Sequence, residues 1–100
     1  MQLISVEQLK TRIDSGETIH LLDVREPGEH ADFNIGGVLL PLGKVQTMQT
    51  EEIDEWKDQE VICYCRSGNR SGQACQYLDT LGFKNTKNLS GGMIAWKNAR

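Results

Sequence analysis

The spacing of apolar residues along the chain predicts helices and strands in alternation. Apolar residues recur at helical spacing over residues 6–13 and 71–81, which predicts two amphipathic helices. Ser5 and Gln8 form a capping box at the start of the first helix, and Gly16 suits its end. Four shorter segments are predicted to be strands, and they are residues 19–24, 38–40, 61–64 and 86–89.

The segments between the predicted strands carry weaker helical signals. Pro27 suits the first turn of a short helix that ends before Asn34. Residues 42–57 predict two short helices, with Thr50 as the candidate N-cap of the second, and residues 93–98 predict a final helix. Strands that alternate with helices through short connections are typical of the α/β class. We therefore expect a central parallel sheet flanked by helices on both faces.

Length and charge narrow the function classes. One hundred residues suit a single domain, which we place at residues 1–100. A net charge of −3 with scattered basic residues argues against a nucleic acid or an anionic membrane as partner, and no apolar run is long enough to span a bilayer. The segment from Met1 to Ile4 lacks the basic and apolar stretches of a signal peptide, so we expect a cytoplasmic protein.

Cys65 lies where the predicted strand 61–64 leads into the predicted helix 71–81. The residues between Cys65 and that helix are polar or glycine, and they are Arg66, Ser67, Gly68, Asn69 and Arg70. A loop of this composition can turn its backbone N–H groups toward the sulfur, and the following helix adds the positive end of its dipole. These contributions favour thiolate, the nucleophilic form of cysteine.

A cysteine at the end of a strand is also consistent with a small, buried core residue. The two arginines of the loop favour the reactive interpretation, because guanidinium groups are poor core residues and create electropositive surroundings for a thiol. They would also attract a small anion to an otherwise acidic protein. Cys65 is therefore the candidate catalytic residue, and residues 66–70 are the candidate substrate-binding residues.

Other polar residues are expected to have structural roles. Asp23 and Arg25 emerge at the carboxyl end of the predicted strand 19–24, close to the site. An ion pair between Arg25 and Glu29 would pin the turn that follows. His20 is interpreted as a tolerated strand residue, and His30 as a solvated surface residue.

The remaining cysteines do not suggest a disulfide framework. Cys63, Cys65 and Cys75 are an odd number, and Cys75 falls on the inner face of its predicted helix. Residues two apart on a strand are about 6.5–7 Å apart at Cα, at the limit for a disulfide, which argues against a Cys63–Cys65 bridge. Only two histidines accompany the cysteines, without paired spacing, so we expect no metal.

The run CRSGNRS, from Cys65 to Ser71, resembles the active-site loop of the rhodanese-like sulfurtransferases. Three further segments agree with that family in order and position, and they are residues 23–26 (DVRE), 35–42 (IGGVLLPL) and 89–96 (LSGGMIAW). The resemblance covers essentially the whole chain. One departure is Asn34, because many members of the family carry a histidine before the isoleucine.

The resemblance implies a rhodanese-like fold and a two-step sulfur transfer. The Cys65 thiolate would attack the outer sulfur of a donor such as thiosulfate, expel sulfite and become a persulfide. An acceptor such as cyanide or a cellular thiol would then remove that sulfur. Arg66 and Arg70 would bind the anionic donor, no cofactor would be needed, and the domain is expected to act as a monomer.

Two other functions stay open on the sequence. A Cys-dependent phosphatase or arsenate reductase also pairs a cysteine at a strand end with an arginine. The phosphatases place five residues between the two, whereas four separate Cys65 from Arg70. A phosphoryl group needs donors to several oxygens and a persulfide adds one atom, so the shorter loop favours sulfur transfer. The other alternative is a non-catalytic module that carries sulfur or recruits a partner protein.

Overall fold

The computed structural model of the protein describes residues 1–99. It contains a sheet of five parallel strands, and these are β1 (Gln2–Ile4), β2 (Leu21–Asp23), β3 (Val38–Leu39), β4 (Glu60–Tyr64) and β5 (Asn85–Leu89). Across the sheet the strands follow the order β1-β5-β4-β2-β3, so β4 is central.

Helices cover both faces of this sheet. They are α1 (Val6–Asp14), α2 (Pro27–Asp32), α3 (Leu42–Gln46), a 3₁₀ helix (Glu51–Trp56), α4 (Asn69–Thr80) and α5 (Gly92–Asn98). Val61 and Cys63 of β4 pack in a core with α3, the 3₁₀ helix and α4, whereas Ile62 and Tyr64 pack in a second core with α1 and α5. The predicted α/β architecture is therefore confirmed. Within residues 1–99, no helix is both long and apolar enough to cross a membrane.

The predicted helix starts are confirmed in part. At the start of α1, Gln8 N donates to Ser5 Oγ at 3.0 Å and Ser5 N donates to Gln8 Oε1 at 2.9 Å, as the capping box predicts. Thr50 precedes the 3₁₀ helix as predicted, but its hydroxyl donates to Asp54 Oδ1 at 2.9 Å and does not cap the backbone. The second helix of residues 42–57 is thus a 3₁₀ helix with an acidic first turn.

Strand β1 is missing from the sequence-based prediction. Gln2 and Leu3 are exposed and only Ile4 is buried, so the segment shows no apolar alternation from which a strand can be inferred. Its pairing with β5 aligns Gln2 with Lys87 and Ile4 with Leu89. The strand therefore depends on its neighbour in the sheet.

The carboxyl ends of the parallel strands meet at one edge of the sheet, where sites in open α/β folds form. Helix α4 begins at Asn69, earlier than the predicted start at residue 71, so only residues 65–68 separate it from β4. Gly68 makes this turn with φ of +99°, in the left-handed region that favours glycine. Cys65 is thereby held beside the first turn of α4.

The first turn of α5 packs on the same loop. Met93 N donates to Cys65 O at 2.9 Å, and Ile94 N donates to Arg66 O at 3.0 Å. Gly92 has φ of +57°, and a methyl group on its Cα would lie 2.5 Å from Cys65 O and 2.6 Å from Arg66 O. This close approach of two backbone segments requires a glycine.

Gly92→Ala is expected to destabilise the protein more than Gly82→Ala does. Both glycines have positive φ, which costs an alanine about 1–2 kcal/mol. A Cβ at Gly82 would meet nothing within 4 Å, whereas overpacking at Gly92 should add about 1–3 kcal/mol. Urea unfolding at neutral pH measures both losses. Equal losses would contradict the close contact between α5 and the Cys65 loop.

Candidate active site

Three hydrogen-bond donors of the turn that follows β4 lie within reach of the Cys65 sulfur. Gly68 N donates at 3.1 Å and Ser71 N at 3.3 Å, and Ser71 Oγ lies 3.3 Å from the sulfur. The whole residue is only 1% exposed. The predicted arrangement, in which N–H groups of the loop and of the helix start surround the sulfur, is present in the structure.

These donors decide the protonation of the thiol. Burial acts to raise the pKa of Cys65, but the Ser71 hydroxyl and the N–H groups of Ser71, Gly68 and Ser67 outweigh it and lower the pKa below its ordinary value. A thiolate is the stronger nucleophile, so these donors favour attack by the Cys65 sulfur.

Ser71 and Asn88 belong to this site although the sequence analysis did not select them. Ser71 Oγ lies 2.5 Å from Asn88 Oδ1, and Asn88 Nδ2 donates to Gly68 O at 2.9 Å. Ser71 is fully buried and Asn88 is 7% exposed. A polar residue in the interior of the short predicted strand 86–89 is the signal that could have drawn attention to Asn88.

Arg70 is held by Glu29 of α2. Its two terminal nitrogens donate to the two carboxylate oxygens at 2.7 and 2.8 Å, and this pair lowers the pKa of Glu29 to about 2. The predicted ion pair between Arg25 and Glu29 is therefore wrong. The sequence places Arg25 and Glu29 one helical turn apart, but α2 directs Glu29 toward the Cys65 loop.

Arg25 instead pairs with Asp23 at the end of β2. Arg25 Nε donates to Asp23 Oδ1 and Arg25 Nη2 donates to Asp23 Oδ2, both at 2.9 Å. His30 Nδ1 lies 2.8 Å from Asp23 Oδ2, so the prediction of His30 as a solvated surface residue is wrong. Burial acts to raise the pKa of Asp23, but the hydrogen bonds from Arg25 and His30 lower it overall. The pair fixes the segment between β2 and α2 beside the site.

Asn34, the departure from the family pattern, bridges its own turn. Its Nδ2 donates to His30 O at 2.9 Å, and its Oδ1 accepts from Gly36 N at 2.8 Å. Tyr64 at the end of β4 also holds this turn, because its hydroxyl donates to Gly36 O at 2.9 Å. The turn is thus ordered without a histidine at this position.

An open cleft of about 360 Å³ adjoins the Cys65 loop. Arg25, Arg66 and Lys97 supply positive charge to its lining, and Glu29 and Asp32 supply negative charge. Arg66 is exposed, and no carboxylate within residues 1–99 forms an ion pair with it. Of the two predicted anion-binding arginines, Arg66 has the freer guanidinium.

The other predicted loop residues lie as follows. Ser67 and Asn69 are exposed, and Gly68 supplies its backbone N–H to the sulfur. Cys63 and Cys75 are fully buried free thiols, which confirms Cys75 as a core residue. Within residues 1–99 no three or more histidine, cysteine or acidic side chains are grouped as metal ligands.

Comparisons with known proteins find similar sequences and folds along almost the whole chain. The sequence model of the rhodanese-like domain matches residues 5–99. YtwF of Bacillus subtilis is 43% identical over 95 residues, covering 94% of this chain and 88% of that protein. A sulfurtransferase of Allochromatium vinosum is 43% identical over 94 residues, covering 93% and 85%. The crystal structure of a rhodanese-like domain protein from Staphylococcus aureus matches with a TM-score of 0.81 at 26% identity, covering 96% of this chain and 91% of that one.

The alkylation of Cys65 by iodoacetamide should report the lowered pKa. We expect a midpoint below that of an unperturbed cysteine, because the surrounding donors lower the pKa of Cys65. Ser71→Ala removes a donor to the thiolate, so the pKa should rise by about 0.5 and the rate at pH 7 should fall about twofold, since the smaller thiolate fraction is partly offset by a more nucleophilic thiolate. Mass spectrometry of the Cys65 peptide measures the rate.

The buried thiols of Cys63 and Cys75 serve as internal controls, since both should stay unmodified while the protein is folded. An unchanged midpoint in Ser71→Ala would show that the hydroxyl does not stabilise the thiolate.

Proposed function

We propose that this chain, which belongs to the rhodanese-like domain family, is a sulfurtransferase that carries a sulfane sulfur on Cys65. The observation that carries the proposal is the set of hydrogen-bond donors from Gly68 and Ser71 around the Cys65 sulfur. Such donors stabilise a thiolate before the reaction, and the backbone N–H groups among them can stabilise the anionic outer sulfur after it.

In the first step, the Cys65 thiolate attacks the outer sulfur of a donor such as thiosulfate. A bond forms between Cys65 Sγ and that outer sulfur, the bond between the two donor sulfurs breaks, and its electron pair leaves with sulfite. Arg66 is placed to attract the anionic donor, because it is exposed and lines the cleft beside the loop. The cleft of about 360 Å³ has room for a small anion.

In the second step, an acceptor such as cyanide or a cellular thiol attacks the outer sulfur of the persulfide. The bond between Cys65 Sγ and the outer sulfur breaks, and the electron pair returns to Cys65 as thiolate. The same donors that hold the thiolate favour it as the leaving group. Each step breaks one S–S bond and forms one new S–S or S–C bond, so no external oxidant or reductant is needed.

The arrangement of Arg70 supports sulfur transfer over phosphoryl transfer. A phosphatase of this general plan needs a guanidinium to bind equatorial oxygens of the phosphoryl group. Both terminal nitrogens of Arg70 are bound to Glu29, and four residues separate Arg70 from Cys65. We propose that Arg70 and Glu29 together brace the loop while Arg66 meets the donor.

Incubation with thiosulfate should add the mass of one sulfur atom to the intact protein, and cyanide should remove it. Cys65→Ser should show no gain, whereas Cys63→Ser and Cys75→Ser should retain it, because their thiols lie in the core. Intact mass spectrometry under non-reducing conditions measures the gain. A gain of sulfur in Cys65→Ser would overturn the proposal. So would efficient hydrolysis of aryl phosphates by the unmodified protein that is abolished in Cys65→Ser.

Arg66→Ala should lower kcat/KM for thiosulfate at least about tenfold, equivalent to about 1.4 kcal/mol, because the anion loses its exposed cation. Arg70→Ala should lower it by at least as much, since it also leaves the Glu29 carboxylate unpaired beside the site. Arg66→Lys should retain part of the activity. Lys84→Ala is the matched control, because Lys84 pairs with Asp58 and precedes β5 at the opposite end of that strand.

Steady-state kinetics with thiosulfate and cyanide separate these cases. If kcat/KM survives both arginine substitutions, donor binding lies elsewhere, and Lys97 of the same cleft is the next candidate.

A further inference from the structure

Asn88 lies at the carboxyl end of β5, directly beside the strand that leads to Cys65. In the sheet its Cα is the partner of Cys63, and its side chain is almost fully buried. An amide buried at this place needs partners for both its oxygen and its nitrogen. It finds them in Ser71 and Gly68, the two residues that donate to the Cys65 sulfur.

The orientation of the Asn88 amide follows from Gly68. Asn88 Nδ2 lies 2.9 Å from Gly68 O, and a backbone carbonyl can only accept a hydrogen bond. The nitrogen must therefore face Gly68, and the amide oxygen must face Ser71 Oγ at 2.5 Å. Because Asn88 Oδ1 is also only an acceptor, the hydroxyl of Ser71 is the donor of that hydrogen bond.

The Ser71 hydroxyl has one proton and two acceptors. Asn88 Oδ1 lies 2.5 Å away and Cys65 Sγ lies 3.3 Å away, and a single O–H cannot satisfy both at full strength. We propose that Asn88 is a positioning residue that competes with Cys65 for the Ser71 proton and so sets the balance between thiol and thiolate.

The two protonation states of Cys65 use this proton differently. In the thiol, Cys65 S–H can donate to Ser71 Oγ while Ser71 O–H donates to Asn88 Oδ1, so every group is satisfied. In the thiolate, Ser71 O–H turns to the sulfur, and Asn88 Oδ1 loses its donor in a buried place, which is unfavourable. Asn88 thus limits how far Ser71 stabilises the thiolate.

This limit has a consequence in the sulfur transfer, and for that consequence alone the inference rests on the proposed function. A thiolate that is stabilised less is a stronger nucleophile, because nucleophilicity falls as pKa falls. When the persulfide forms, Cys65 Sγ becomes an uncharged atom with two covalent bonds, and the Ser71 proton is free to return to Asn88. The competition for the Ser71 proton therefore favours the step in which the Cys65 thiolate attacks the donor and the persulfide forms.

Asn88 also acts on the sulfur through Gly68. Its Nδ2 holds Gly68 O, and the N–H of the same residue donates to Cys65 Sγ at 3.1 Å. Loss of the side chain would thus free the Ser71 proton, which lowers the pKa of Cys65, and loosen Gly68, which raises it. Because these effects oppose each other, a single substitution is not decisive, and a double-mutant cycle with Ser71 is needed.

The charged and titratable groups around Cys65 are the same in all four proteins of such a cycle. Arg70 of α4 with its partner Glu29 of α2, Arg66 of the loop, Lys97 of α5 and Cys63 of β4 surround the site. None of these groups is hydrogen-bonded to the Asn88 side chain within residues 1–99. Their contribution should cancel in the cycle.

The test measures the pH profile of Cys65 alkylation by iodoacetamide in four proteins: the unmodified chain, Asn88→Ala, Ser71→Ala and the double variant. The cycle compares the change in the Cys65 pKa that Asn88→Ala causes when Ser71 is present with the change it causes in the Ser71→Ala background. We expect the first change to lie about 0.5–1 below the second. For a pKa lower by 1, the plateau rate at high pH should fall about two- to threefold, because the thiolate is a weaker nucleophile.

Equal shifts in the two backgrounds, or a shift that lies higher with Ser71 present than in the Ser71→Ala background, would overturn the competition and leave Asn88 as a support for Gly68 only. Asn85→Ala is the matched control, since Asn85 is exposed at the other end of β5. The pH profile of Cys65 alkylation in this variant should match that of the unmodified chain. If Asn88→Ala does not fold, Asn88→Asp takes its place. The carboxylate of Asn88→Asp should hold the Ser71 proton more strongly than the amide does. The pKa of Cys65 should therefore rise more when Ser71 is present than in the Ser71→Ala background.

Alkylation requires no sulfur donor, so this test is independent of the proposed transfer. Failure of thiosulfate to add sulfur would refute the proposed function while the cycle still reads the proton competition.

Discussion

The site depends on one change of direction, the turn at Gly68 that leads the chain from β4 into α4 within four residues. A left-handed residue at this point lets the N–H groups of Gly68 and Ser71 point back at the sulfur of Cys65. Burial alone would keep the thiol protonated, and these donors reverse its effect. The geometry of the turn, more than any single charge, favours the thiolate form of Cys65.

The rest of the fold holds this turn from three sides. From α5, Met93 N and Ile94 N bind the carbonyl groups of Cys65 and Arg66, which leaves the N–H groups of the turn free for the sulfur. From β5, Asn88 holds Gly68 O, and from α2, Glu29 holds Arg70. Each support comes from a different element, so the conformation of a short loop is set by the packing of the whole domain.

The arginines near the site differ in whether a carboxylate pairs with them. Arg25 and Arg70 are each paired with a carboxylate, in Asp23 and Glu29, and these pairs brace the backbone. Arg66 is exposed at the cleft. An acidic protein thus presents a local positive charge where a small anion would approach, and the paired arginines contribute rigidity more than attraction.

The sequence by itself determined most of the elements and the candidate nucleophile. Apolar spacing marks α1, α4 and the buried strands, and the run from Cys65 to Arg70 stands between a strand and a helix, so local chemistry identifies the cysteine. Only the tertiary structure decided the partners, Glu29 for Arg70 and Asn88 for Ser71, which lie 41 and 17 residues away along the chain. Such pairs follow from how helices α2 and α4 pack on the ordered strands, as where the alignment of Asn88 with Cys63 brings Asn88 beside Ser71, and residue spacing carries no information about which polar groups of distant elements meet.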